Sequence, residues 1–327
     1  MKIWQSKGIL AWLLLPLAFI YRCIIWIRQK LYYFGFISHY QAPVPVIIVG
    51  NITVGGTGKT PLVIALVKEF QRHNIKVGVV SRGYKSKADH YPYVVCNSST
   101  ATIAGDEPLL IYRVTQVPIV IDADRPRAIQ KLLATFSCDV IISDDGLQHY
   151  ALEREIEIAV IDGDKRLGNG WLLPAGPLRE PQRRMNSVDF IVANGSAKVN
   201  EIGMQLQPTT FYALHDMTCL QSLNAFIGVS VNAVAGIGNP DRFFTMLESL
   251  GINVILKKAL ADHHTYSGHE FEFENDFPIL ITEKDAVKCD SIKKDNIWVV
   301  PVEAKLPANF YKAVLQLIDE GAKEQYE

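Results

Sequence analysis

The chain has 327 residues, 49% of them hydrophobic and 20% charged, the size and composition of about two folded domains, which excludes a disordered chain. With 22 Gly and 16 Pro it is neither collagen-like nor low-complexity. Thirty-three basic and 34 acidic residues leave a net charge of −1, which argues against a general nucleic-acid binder, so no nucleic acid is expected as a partner.

The average hides an asymmetry. The first acidic residue is Glu69; before it stand Lys2, Lys7, Arg22, Arg28, Lys30, Lys59 and Lys68, so residues 1–68 carry +7 and the rest of the chain −8. From Gly8 to Ile27 every residue except Gly8, Pro16 and Arg22 is apolar. A secretory signal would need a small-residue cleavage site, and the apolar run instead meets Arg22-Cys23-Ile24-Ile25-Trp26. As a helix the run is just long enough to span a bilayer, but Arg22 interrupts it at a cost of about 2–3 kcal/mol. Basic flanks and the aromatic residues Trp4, Trp12, Trp26, Tyr32 and Tyr33 suit an anionic membrane surface. Residues 1–36 therefore read as a membrane-associated helical segment, lying in the interface ahead of spanning, with a buried core helix as the structural alternative.

Pro43 and Pro45 close this segment, and Val46-Ile47-Ile48-Val49 reads as a buried parallel strand. It runs into Gly50-Asn51-Ile52-Thr53-Val54-Gly55-Gly56-Thr57-Gly58-Lys59-Thr60 and then a helix with Pro61 in its first turn. Strand, Gly-rich loop and helix are the setting of a phosphate-binding loop: backbone N–H groups of Thr53 to Thr60 wrap the phosphates of a nucleotide, Lys59 reaches the β/γ-phosphates, and the Thr60 hydroxyl ligates Mg²⁺. The strict pattern has Gly where this chain has Thr53. A partitioning-type ATPase would carry Lys where Val54 stands.

Further strand–helix alternation follows. Val77 to Ser81 leads to Arg82-Gly83-Tyr84; Gly105-Asp106-Glu107-Pro108 opens an amphipathic helix, where acids also serve simply to complement the helix dipole. Pro118 to Ile121 is a strand. Val140-Ile141-Ile142-Ser143 ends in Asp144-Asp145-Gly146, the carboxylate that a nucleotide-bound Mg²⁺ needs at a strand's end, with either Asp able to take it. Ile156–Asp162 and Phe190–Ala193 complete a mostly parallel α/β core over residues 37–222. Val231 to Pro240 is a second strand with a Gly loop but no Lys, so a second phosphate site is not expected. With strands at Asn253–Lys258, Ile279–Thr282 and Trp298–Val300 and a helix from Asn309, residues 223–327 read as a smaller α/β lobe. In it lies Asp262-His263-His264; adjacent His on a strand would face opposite sides and not share a metal.

Together, the basic apolar start, the Gly50–Pro61 loop, Ser81-Arg82-Gly83-Tyr84, Gly105-Asp106-Glu107-Pro108, Asp144-Asp145-Gly146-Leu147-Gln148-His149, Leu173-Pro174-Ala175-Gly176-Pro177-Leu178-Arg179-Glu180 and Asp262-His263-His264 closely resemble the tetraacyldisaccharide 4′-kinase (lipid A kinase) family of Gram-negative bacteria, over nearly the whole chain. Thr53 in place of Gly is part of that family's pattern. The resemblance implies a P-loop kinase of two lobes on the cytoplasmic face of the inner membrane, using ATP and Mg²⁺ to phosphorylate the 4′-hydroxyl of an acylated glucosamine disaccharide 1-phosphate. By motif it implies Asp106 as base, His263 as the residue that orients it, and Asp144, Asp145 and Glu107 around Mg²⁺. It also implies that Asn51, Arg82, His149, Arg179 and Glu180 line the substrate cleft. The alternative is a membrane-associated P-loop ATPase or GTPase that acts on a protein partner, which leaves Asp106 and His263 without a task.

Overall fold

The computed structural model describes residues 4–324. In chain order the elements are α1 (Ile9–Leu13), α2 (Leu15–Tyr33), β1 (Val46–Gly50), α3 (Lys59–Arg72), β2 (Val77–Ser81), β3 (Tyr93–Val94), α4 (Ala101–Ala104), α5 (Asp106–Thr115), β4 (Ile119–Ile121), α6 (Arg125–Thr135), β5 (Val140–Asp144), β6 (Ile156–Asp162), β7 (Phe190–Asn194) and β8 (Ile202–Pro208). There follow β9 (Phe211–Ala213), β10 (Asp216–Gln221), β11 (Ser230–Ala235), α7 (Pro240–Ser249), β12 (Asn253–Ala259), β13 (Ile279–Thr282), α8 (Glu283–Ala286), β14 (Ile297–Val300), β15 (Val302–Lys305) and α9 (Ala308–Glu324).

Two sheets result. The larger has the order β15-β8-β7-β6-β1-β5-β2-β4-β3, parallel except at its two edges, where β15 and β3 run antiparallel to their neighbours. The smaller has the order β10-β9-β14-β13-β11-β12, parallel from β14 to β12. The central strands of the large sheet are buried on both faces, so they are continuously apolar. Successive residues of β1 divide accordingly: Ile47 and Val49 join the core under α3 and α5, while Val46 and Ile48 join the core on the opposite face with Ala128, Ile129 and Leu132 of α6.

Sheet membership redraws the expected boundary at residue 222. The strands β9 and β10 (211–221) belong to the small sheet, and the chain then returns: β15 pairs with β8 from Val302↔Pro208 to Lys305↔Gln205. Helix α9 follows it, placing Phe310, Val314 and Ile318 in the core that also holds Ile156, Ile158 and Val192. The amphipathic run at the chain's end therefore covers the large sheet, where an open apolar face of β6 and β7 needs it, rather than the small one.

The basic apolar start forms two helices, not one. Pro16 cannot donate a backbone hydrogen bond, and the helix breaks at Leu14, just before it. No helix among the described residues is long and apolar enough to cross a membrane. In α1 and α2 only Ala11 and Ala18 are buried, while Ile9, Trp12, Leu13, Phe19, Ile20, Ile24 and Trp26 are more than half exposed. The other side of α2 docks on the body: Tyr21 Oη donates to the Arg179 carbonyl (3.1 Å) and Gln29 Nε2 to Tyr150 Oη (2.7 Å), while the Trp12 ring meets the edge of Trp171.

Candidate active site

The site forms where β1 and β5 end side by side. Register pairs Val49 with Asp144, so the loop after β1 and the acids after β5 emerge at the same sheet edge, where open parallel sheets bind ligands. The loop is braced from within. Asn51, fully buried, donates through Nδ2 to Thr57 Oγ1 (3.3 Å) and the Gly55 carbonyl (3.4 Å). Asn194, at the end of β7, donates to the Thr57 carbonyl (3.2 Å). Gly55 and Gly58 hold positive φ, +116° and +96°, which suits residues without a Cβ. Thr53 does not: it forms an antiparallel bridge with Leu178, and the neighbouring Val54 N–H donates to the Pro177 carbonyl (2.9 Å). The departure from a strict Gly pattern is thus explained, because an extended residue at this position has no need of glycine. Val54 itself is tied to the Pro177 segment, and Gly56 faces Gly238 of the small lobe.

Lys59 opens α3 and Thr60, buried, follows it. Lys59 Nζ is 3.3 Å from Asp145 Oδ1, and Arg179 Nη1 donates to both oxygens of the same carboxylate (3.1 and 2.9 Å). Burial pushes the Asp145 carboxyl up, but Lys59 and Arg179 outweigh it and hold the group at about 2. Asp144 is different. Its Oδ2 accepts from Ser81 Oγ (3.3 Å), its carbonyl from the buried Arg125 (3.0 Å), and its Oδ1 is buried without a hydrogen-bond partner. Burial, with the charge of Glu107 added, raises its carboxyl to about 7 against the pull of Lys59.

Asp106 begins α5, after Gly105 at φ +85°. His263, in the turn after β12, reaches it from the small sheet: Nδ1 is 2.8 Å from Asp106 Oδ2. Burial raises the Asp106 carboxyl, but the hydrogen bond from His263 and the charge of Lys284 bring it below its ordinary value. His263 stands in a turn at φ +61° rather than on a strand, and His264 turns away to Glu270 (2.8 Å). Asp145 also holds a left-handed backbone, φ +51°. Such non-glycine conformations cost about 1–3 kcal/mol each and gather at functional sites. Glu107 does not face an open cation position: its Oε1 is 2.9 Å from Lys284 Nζ.

The five expected cleft residues differ in where they fall, and Asn51 lies within the loop that it braces. Arg82 is exposed after β2. His149 is held neutral, its imidazole pushed down to about 3 by burial and by the nearby charges of Arg125, Arg82 and Arg28. Arg179 is bound to Asp145. Glu180, 1% exposed, lies beneath the cleft and accepts from Gln148 (2.9 Å), Tyr150 and Gln29 of α2. A continuous polar chain thus joins the N-terminal helix to Gln148 and, through Arg179 and Asp145, to Lys59.

The second Gly loop touches the first. A Cβ on Gly238 would lie 3.0 Å from the Gly56 nitrogen and 3.4 Å from Asp262 Oδ2. The small lobe thereby presses Asp262, His263 and Lys284 against the phosphate loop and α5. Arg242 of α7 adds a second tie, donating to the Asn194 carbonyl (3.0 Å) and Asp164 (3.0 Å) of the large lobe.

The Gly-rich loop, the acid pair on the neighbouring strand and the Asp106–His263 pair thus lie together at one sheet edge. A family model described as tetraacyldisaccharide-1-P 4′-kinase matches residues 10–319. The chain belongs to the tetraacyldisaccharide 4′-kinase family. It is 47% identical to the tetraacyldisaccharide 4′-kinase of Pasteurella multocida over 326 residues, covering 99% of both chains. It is 46% identical to that of Actinobacillus succinogenes over 327 residues, again 99% of both. Its fold is similar to that of LpxK from Aquifex aeolicus solved in complex with ATP, with a TM-score of 0.78 and 28% identity over 95% of this chain and 100% of that one. In the sequence of this tetraacyldisaccharide 4′-kinase family member Lys284 and Asn194 carry no motif, and Gly238 stands in a Gly loop of which only a second phosphate site was excluded. The one signal for Lys284 was its place directly after a parallel strand, where charged residues meet ligands.

Proposed function

We propose that this chain transfers the γ-phosphoryl group of ATP to the 4′-hydroxyl of an acylated glucosamine disaccharide 1-phosphate, the precursor of lipid A. The observation that carries this reading is the Asp106–His263 contact of 2.8 Å, made across two lobes beside the phosphate loop. A nucleotide switch has no use for a proton acceptor there; a kinase acting on a sugar hydroxyl does.

In the reaction, the 4′-oxygen forms its bond to the γ-phosphorus while the bond from that phosphorus to the β,γ-bridging oxygen breaks and ADP leaves. The hydroxyl proton goes to Asp106, kept ionised beforehand by His263 and Lys284. Backbone N–H groups of residues 55–60 hold the ATP phosphates, whereas Thr53 and Val54, expected to share in this, are tied to the Pro177–Leu178 segment, and Lys59 moves its charge from Asp145 toward the β/γ-phosphates. Charge neutralisation and positioning supply most of the acceleration in such transfers.

Mg²⁺ fits this donor set. Asp144 Oδ1 is a buried carboxylate oxygen with no partner, an arrangement that is costly unless a cation or proton meets it. Asp144 and the Thr60 hydroxyl are the residues that would hold the ion, with phosphate oxygens completing its shell. Bound there, Mg²⁺ neutralises charge on the phosphates being separated. Asp145 serves Lys59 and Arg179, and Glu107 serves Lys284.

The exposed apolar side of α1 and α2, with Lys7, Arg28 and Lys30 close by, supports binding to the anionic cytoplasmic face of the inner membrane, where the acylated substrate is held. The test is incubation with γ-labelled ATP and Mg²⁺ in mixed micelles of lipid A precursor. Label in the lipid is expected, and Asp106→Ala should abolish it while ATP still binds. Label released only as free phosphate would sink the kinase reading, and near-normal transfer by Asp106→Ala would remove Asp106 from the role of base.

A further inference from the structure

Lys284 helps to keep Asp106 ionised, and it also occupies the point where the two sheets' elements meet. Its backbone is rigidly set. Helix α8 is capped by Thr282, whose Oγ1 accepts from the Asp285 N–H (3.1 Å). Asp285, fully buried, accepts in turn from the Gly236 N–H (3.1 Å) and Thr282 Oγ1 (2.7 Å) and pairs with Lys288 (2.7 Å). From this base the Lys284 side chain, 18% exposed, extends across the lobe boundary. Its Nζ lies 2.9 Å from Glu107 and 3.7 Å from Asp106, both on α5 of the large lobe, and 3.4 Å from Asp262 of its own.

The charges make the consequence plain. Asp106, Glu107 and Asp262 bring three carboxylates together at the edge of the cleft. Lys284 Nζ, within 4 Å of all three, offsets much of their mutual repulsion beside His263 and Lys288, and removing one member of a buried ion-pair network leaves charge uncompensated. His263 follows Asp262 directly in the same turn, so whatever holds Asp262 against α5 also sets the reach of His263.

We propose that Lys284 is a positioning residue, a cationic pin that holds the small lobe on α5 so that His263 meets Asp106. Its ion pairs are with Glu107, Asp262 and Asp106. The inference rests on the reading of Asp106 as the base and His263 as its partner.

The test is a double-mutant cycle in the full chain with steady-state kinetics in lipid A precursor micelles. Lys284→Met should lower kcat about 10²-fold, the order of loss that a displacement of about 1 Å in a catalytic constellation brings. KM for ATP should stay within about twofold, because Lys284 pairs with α5 and Asp262 rather than with the phosphate loop, and Lys284→Arg should recover most of kcat. Asp262→Asn, by removing one of the repelling charges, should partly restore the Lys284→Met enzyme. In a His263→Ala background Lys284→Met should cost little more, since the contact it serves is already gone. An equal loss in both backgrounds, or a Lys284→Met enzyme within threefold of wild type, overturns the proposal. If Lys284→Met does not fold, Lys284→Gln, which keeps a hydrogen-bond donor, is put through the same cycle with the same criteria. If instead His263→Ala and Asp106→Ala keep full turnover, it is the base assignment that fails.

Discussion

The glycines of the phosphate loop offer a quantitative test. Gly58→Ala, Gly55→Ala and Gly56→Ala add the same methyl group to three different settings. Gly55 and Gly58 both hold positive φ, where a Cβ costs about 1–2 kcal/mol. At Gly55 the added methyl meets nothing within 4 Å, so backbone strain is the whole penalty. At Gly58 it would lie 2.5 Å from Asn194 Nδ2 and 3.1 Å from Met204 Cε. Relieving that overlap costs about 1–3 kcal/mol, and moving Asn194 gives up its bond to the Thr57 carbonyl, worth about 1 kcal/mol. Gly56 has an ordinary φ, with the Gly238 Cα at 3.8 Å from the new atom. The expected order of destabilisation is therefore Gly58→Ala at about 3–6 kcal/mol, Gly55→Ala at about 1–2, and Gly56→Ala within about 0.5. Equilibrium urea unfolding of the nucleotide-free protein measures it. Adding Asn194→Ala to Gly58→Ala should recover part of the loss by making room. If Gly58→Ala is no worse than Gly55→Ala, or if Asn194→Ala brings no relief, the close packing of β7 behind the loop is not what demands glycine there.

Other outcomes follow from the same contacts. Arg125 is fully buried, and its guanidinium donates to the Asp122 (2.6 Å) and Asp144 (3.0 Å) carbonyls; Arg125→Met should destabilise by about 3–5 kcal/mol in the same unfolding assay. Burial raises the Glu283 carboxyl from an ordinary 4.5 to about 7. The native state thus favours its protonated form, a contribution present below about pH 4.5 and lost as pH rises through 7. Glu283→Gln, always neutral and able to accept from the Val302 N–H, should match wild type near pH 4.5 and be more stable by about 3 kcal/mol at pH 8, seen as a gap in Tm that opens with pH. Replacing the exposed Phe19, Ile20 and Trp26 together by Ser should weaken cosedimentation with anionic vesicles while leaving the melting temperature within a few degrees; unchanged cosedimentation would take the membrane contact away from this face.

The phosphate loop, the acids after β5 and the parallel core were legible because each rests on local pattern: an apolar strand, glycines at fixed offsets, charge at a strand's end. Asp106 and His263 were legible only through the family resemblance, since 157 residues separate them and nothing local announces their contact. Lys284, in the brief helix α8, carried no motif, and its importance lies in which acids α5 brings to it. The terminal helix was placed by its neighbours in sequence, whereas its apolar side belongs with Phe190, whose ring meets Phe310 at 5.3 Å. Pro16 signalled a break that the surrounding apolar run masked.

The return of β15 to the large sheet bears on the order in which the protein is made. Every strand of the small sheet leaves the ribosome before Val302 does, so that lobe can close while the larger one, started first, still lacks an edge. The large lobe is finished only when residues 302–324 arrive, pair with β8, place Glu303 3.2 Å from Lys68 of α3, and cover β6. Until then the nascent chain exposes the apolar surface that Phe310, Val314 and Ile318 later seal, the kind of surface that draws chaperones or aggregates. A stop codon just before β15 would thus spare every nucleotide-binding residue and still yield a chain that cannot complete its core.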